Sequence, residues 1–206
     1  MLDAASWGLV AGLLNLAAFV PYVLGIFGWG IGRNGPVLHR ITPTKPNRAT
    51  WFIWTFVGSV ILPSYHYSGA DETIWVPAAL TAGPFAVALL SLKWGEGGWT
   101  RFDQVCLAGA CISVGGWAIT GSPVVGLLLA LVADGFGAVA TIRHAYRRPE
   151  EENRLAWILF LVGDLANLLA VTDWSLAALT VWSLPVYMVL QTIPIAVLSA
   201  RKGGAR

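Results

Sequence analysis

The chain has 206 residues, 56% of them hydrophobic and 12% charged, and a net charge of +2. That is too apolar for a soluble domain of this size. The charge is no sign of a nucleic-acid partner, because membrane topology accounts for every base.

Seven apolar segments are each long enough, at about 1.5 Å per residue, to cross roughly 30 Å of hydrocarbon. They run near 7–30, 50–68, 74–92, 104–120, 123–142, 155–171 and 175–199. The first has no basic stretch before it and is too long for a signal-peptide core, so it is expected to be retained. It carries Asn15, Pro21 and Tyr22. The loop over 31–49 contains Gly35-Pro36, Pro43 and Pro46 and reads as an ordered, turn-rich segment. The second segment carries Trp54 and Pro63, and the third carries Pro84. The fourth carries Cys106 and Cys111, whose spacing points them in different directions and makes neither a disulfide nor a metal site. Asp134 lies in the fifth, Asp164 and Asn167 in the sixth. The seventh carries Trp182, Pro185, Tyr187, Gln191, Thr192 and Pro194.

All 13 Lys and Arg fall in 33–48, 93–101, 143–154 and 201–206. These are alternate loops and the C-terminal tail. The positive-inside rule then puts the N-terminus outside and the C-terminus in the cytoplasm of a bacterial plasma membrane. Trp29, Trp51, Trp94, Trp99 and Trp157 cluster at the inner boundary, and Trp7, Trp75, Trp117 and Trp174 at the outer one, as amphipathic indoles prefer.

Asn47-Arg48-Ala49-Thr50-Trp51-Phe52-Ile53-Trp54 recurs 106 residues later as Asn153-Arg154-Leu155-Ala156-Trp157-Ile158-Leu159-Phe160. In the preceding segments Asn15 aligns with Asp134 at an offset of 119, so the first basic loop is longer by 119 − 106 = 13 residues. Both copies begin outside, which makes them parallel repeats that need an odd span between them. The expected fold is all-α: an integral membrane protein of seven helices, with triple-helix repeats over 1–95 and 122–206 and a linker helix within 96–121.

This three-one-three plan resembles the SWEET and PQ-loop superfamily, which includes the KDEL receptors and the Pnu-type vitamin transporters. Pro21 and Pro63 match the prolines of the first two helices and would act in gating. The matching position of helix five is Ala140, helix six has no proline, and no Pro-Gln pair occurs. Trp54 matches a midplane Trp of the sugar-transporting members, but helices three and seven lack their Asn. The resemblance implies the fold and a transport role, and it does not imply sugar.

Asp134 and Asp164 fall roughly 14–17 Å deep at about 1.5 Å per residue. A charge there costs at least ~2.5 kcal/mol, so such a group faces a cavity, finds a partner or stays protonated. No Lys or Arg lies inside a span to neutralise either. Asn15, Asn167, Trp54 and Trp182 complete the candidate substrate-binding set, with indole faces suited to planar or cationic ligands. The plain structural reading of the polar groups is interhelical hydrogen bonding. Asn47 and Asn153 read as helix N-caps, Arg48 and Arg154 as bases reaching headgroups, and Glu150–Glu152 as a solvated loop.

No catalytic or metal constellation is present: the histidines are not at ligand spacing and nothing fixes a triad. The expected function is a non-enzymatic transporter or facilitator of a small polar solute by alternating access, proton-linked through the intramembrane acids, with no cofactor. The first alternative is a non-transporting receptor or membrane-complex subunit of the same fold, and the second, ranked below it, an integral membrane enzyme. The lipid bilayer is the expected surrounding, and self-association into a homo-oligomer is left open.

Overall fold

The computed structural model describes residues 2–31, 38–67, 69–97 and 100–201, without the side chains of 102, 103, 106, 107, 110, 113, 114 and 140. Arg33, Gly35, Pro36, Ser68, Trp99 and residues 202–206 lie outside the described residues, as do the side chains of Cys106 and Ala140.

The α-helices among the described residues are α1 Ala4–Ile26, α2 Arg48–Tyr67, α3 Trp75–Trp94, α4 Arg101–Thr120, α5 Pro123–Arg147, α6 Arg154–Leu168 and α7 Leu179–Ser199. The turn-rich loop adds something an all-α expectation lacked. Strands β1 Trp29–Ile31 and β2 Leu38–Arg40 pair antiparallel, with Gly30 opposite His39. The Arg40 guanidinium lies 4.0 Å from the Trp29 ring centroid, a cation–π contact across the pair.

Helix starts follow their caps. Asp3 Oδ1 accepts from Ser6 N at 2.8 Å to open α1. Asn47 Oδ1 accepts from Thr50 N at 3.1 Å, and Asn153 Oδ1 from Ala156 N at 3.0 Å, opening α2 and α6 in the same way. The two bases that follow differ. Arg48 turns to the end of α3, donating from Nε to Ser91 O (3.1 Å) and from Nη2 to Gly95 O (3.4 Å). A cation among the last carbonyls of a helix satisfies acceptors that the helix leaves open. Arg154 is exposed.

Among the described residues, four stretches are long and apolar enough to cross a membrane: Ala4–Ile26, Asp71–Trp94, Pro123–Arg147 and Leu176–Ser199. Their outward faces are apolar, with Leu13, Leu16 and Val20 on α1, Phe85, Leu89 and Leu92 on α3, and Leu190, Ile193 and Val197 on α7 all exposed. Such faces fit lipid and an integral membrane protein. α6, at 15 residues, stops at Leu168, short of the 155–171 segment expected from hydropathy.

α3 packs between α1 and α2, and α7 packs between α5 and α6. The two sets meet where α1 lies along α6 and α2 along α5, while α4 packs on α5 and α2. Small residues let these backbones approach. A Cβ on Gly163 of α6 would stand 2.5 Å from Asn15 Nδ2 of α1. Prolines interrupt α1, α2, α3 and α7. Pro185 supplies no N–H to the carbonyl of Val181, one turn earlier. Tyr65 of α2, fully buried, donates to that carbonyl at 2.7 Å and shares a 2.6 Å hydrogen bond with Thr73 Oγ1.

Candidate functional site

Asp134 and Asp164 sit on α5 and α6, which α7 separates, and α7 holds both. Tyr187 Oη donates to Asp134 Oδ2 at 2.7 Å, and Thr192 Oγ1 donates to Asp164 Oδ2 at 2.7 Å. Gln191 Oε1 lies 3.2 Å from the same Tyr187 hydroxyl. Asp134 is 9% exposed and Asp164 is 0% exposed. Asn15 approaches the Asp164 carboxyl across the α1–α6 contact, while its Nδ2 donates to Ala11 O at 3.1 Å.

Both acids face one cavity of about 60 Å³, room for about four to six waters. Its wall also carries Asn15, Gly58, Gln191 and Thr192. Toward the base-rich end it is floored by Phe19, Trp51, Trp54, Trp157 and Phe160. The rest is apolar: Ile61, Pro77, Leu80, Pro84, Leu184, Met188 and Ile195. No Lys, Arg or His lines it among the described residues. Three buried polar atoms on this wall have no hydrogen-bond partner: Asn15 Oδ1, Asp164 Oδ1 and Trp54 Nε1.

The floor is a packed aromatic cluster. Ring centroids are 4.9 Å apart for Phe19–Phe160 and for Tyr22–Trp51, 5.1 Å for Trp51–Trp54 and 5.4 Å for Trp157–Phe160. Such pairs contribute about 0.5–1.5 kcal/mol each beyond burial. Beneath it lies a second, more polar chamber lined by Tyr22, Asn47, Thr50, Thr141, His144 and Glu152. Trp51 and Trp157 line both spaces, so they form the partition.

The partition is anchored from below. Trp157 Nε1 donates to Glu152 Oε2 at 2.7 Å. Burial pushes the Glu152 carboxyl up to about 7; the Trp157 N–H opposes this, and Glu151 and Glu96 reinforce it. Glu152 is therefore not part of a solvated loop, as its neighbours in sequence suggest. Glu96, His144 and Glu151 bring ligand-type atoms within 4.8 Å of one another. Arg148 already lies 3.3 Å from Glu151 and 3.8 Å from Glu96, and Lys45 lies 3.6 Å from Glu151. These side chains form an ion-pair network.

Of the residues singled out from the sequence, Asn15, Trp54, Asp134 and Asp164 line the cavity. Asn167 is fully buried, one turn beyond Asp164, and is not on the wall. Trp182 is turned away, donating to Ser175 O at 2.9 Å near the start of α7. Pro21 and Pro63 do not line the cavity either; Pro21 offers its carbonyl to Asn153 Nδ2 at 2.7 Å. Trp51 and Trp157, read from the sequence as boundary indoles, are packed inside the protein at 3% and 5% exposure. Their recurrence in register was the available signal. Phe19 and Phe160 carried one too, since each lies four residues, about one turn, from a polar wall residue, Asn15 and Asp164.

Comparison with family models, with curated proteins and with solved structures finds no match to this chain.

Proposed function

We propose that the chain is a membrane transporter of a small polar solute, working by alternating access between two parallel triple-helix repeats joined by α4. The observation that carries this reading is the pairing of repeat-related positions on one cavity wall. At the offset of 106, Trp51 pairs with Trp157, Trp54 with Phe160 and Gly58 with Asp164; at 119, Asn15 pairs with Asp134. Every one of these residues lines the cavity. Helix packing has the same two-fold character, because exchanging α1 with α5 and α2 with α6 turns the α1–α6 contact into the α5–α2 contact. A solute site between repeats is where rocking of one against the other exposes it to each side in turn.

In this reading all seven helices span the bilayer, with the N-terminus outside and the C-terminus in the cytoplasm, because the bases gather at one end. The Trp51–Trp157 partition is then the inner barrier. The test is access to the cavity wall. A single cysteine from Gln191→Cys, in a Cys106→Ser/Cys111→Ser background, is offered a small impermeant thiol reagent in right-side-out and in inverted vesicles. Labelling from both sides is expected. Labelling from one side only would sink alternating access and leave a receptor.

A further inference from the structure

We infer that the solute is a small organic cation, seated between the carboxylates of Asp134 and Asp164 and the aromatic floor. This inference rests on the transport reading above for the solute's passage, but not for its binding.

The charge balance of the wall points there first. Two acids face the cavity and no base among the described residues does. The groups around Asp164 are Thr192 and Gln191 of α7, Asn15 of α1 and, across the cavity, Asp134 and Tyr187. None can carry a positive charge. A carboxylate at this depth needs a cation or a proton to offset its lost hydration.

The unpartnered atoms point the same way. Asn15 and Asp164 are both fully buried, and each presents an oxygen with no donor. Beside the acids the wall thus leaves two acceptors open, which an ammonium or guanidinium meets and an anion does not; the open donor, Trp54 Nε1, lies among the floor rings. Ring geometry adds a third argument. Trp54 stands at 87° to Trp51 and 73° to Trp157, so the π faces turn in different directions, as in aromatic sites for quaternary ammonium groups. The size of the cavity restricts the ligand, or the part of it held here, to a few non-hydrogen atoms.

A proton on Asp164 would meet the same need, so proton and cation compete for one oxygen. Exchange of one for the other follows directly from the site.

The experiment uses the purified full chain in detergent, with melting temperature and intrinsic tryptophan fluorescence as readouts. The probes are tetramethylammonium and guanidinium, set against the neutral tert-butanol and urea and against acetate. Both cations should stabilise the protein and alter its fluorescence, more at pH 8 than at pH 5, and the neutral and anionic probes should not. Asp164→Asn should weaken cation binding by about tenfold or more, the loss expected for a charged hydrogen-bond partner. Asp134→Asn and Trp54→Leu test the same site should Asp164→Asn fail to fold. Urea matching guanidinium, no response to either cation, or undiminished cation binding by monodisperse variants would each overturn the inference. Cation binding without cation flux in proteoliposomes would instead overturn the transport reading and leave the site standing.

Discussion

Around the cavity, α1–α3 offer Asn15, Gly58 and Trp54 where α5–α7 offer Asp134, Asp164 and Phe160. At the partition the two sets offer the same residue, Trp51 and Trp157. The partition residues are identical, the wall positions beside them differ in size and charge, and both acids lie on one set. The caps show the same contrast. Asn47 and Asn153 open their helices alike, but only Asn153 also reaches across the interface, to Pro21 O. A shared geometry with unequal chemistry means that equivalent substitutions should have unequal effects.

The largest inequality is expected at the two asparagines. Asn47→Ala should cost about 1 kcal/mol, a typical cap. Asn153→Ala loses the cap and a buried bond to a carbonyl, so it should cost about 2–4 kcal/mol. Melting temperatures of the two variants, measured together, decide this; equal losses would break the comparison.

Glu152 has no counterpart, since Pro46 stands at the matching position. Its carboxyl ionises near 7 when folded, above its ordinary value of 4.5. A raised carboxyl pKa means that the folded state favours the protonated form. Its contribution is therefore fully present below about pH 4.5 and is lost as pH rises toward 7. Glu152→Gln should leave stability at pH 4.5 unchanged and raise it at pH 7.5 by on the order of 1–3 kcal/mol. Parallel stability–pH curves for the two proteins would refute the burial argument.

Packing should be uneven as well. A Cβ at Gly163 presses on Asn15, whereas one at Gly135 of α5 meets only Tyr187 Oη, at 3.6 Å. Gly163→Ala should therefore cost about 1–3 kcal/mol. Gly135→Ala should be neutral or stabilise by up to about 1 kcal/mol through helix propensity. Thermal melts that rank them the other way would remove the tight α1–α6 contact from the account. The smallest effect is expected at the partition. Trp157→Phe should destabilise by about 1 kcal/mol more than Trp51→Phe, because only Trp157 donates to a carboxylate.

Much of this was legible in the sequence. The helices, the two asparagine caps and the cavity positions of Asn15, Trp54, Asp134 and Asp164 follow from hydropathy, repeat register and the cost of a buried charge. The burial of Trp51 and Trp157 did not, because indoles near helix ends usually mark the membrane boundary and their repetition was used only for alignment. Trp182 misled for the opposite reason. Depth along a helix says nothing about which way a side chain faces, and its indole binds its own chain at Ser175. That α7 grips both acids could not be read, since Tyr187 and Thr192 lie 53 and 28 residues from their partners.

The Tyr65–Val181 bond sets an energy scale for motion. It closes the gap that Pro185 leaves in α7, and the closing hydroxyl comes from α2, in the other set of helices. Any movement that draws α2 away from α7 at this end strips this partly buried carbonyl of its donor. The penalty is about 1–3 kcal/mol, enough to hold the separated arrangement to roughly a tenth to a hundredth of the population that it would otherwise have. Tyr65→Phe should raise that minority without touching the cavity wall, which would turn one hydroxyl into a dial on the protein's resting conformation.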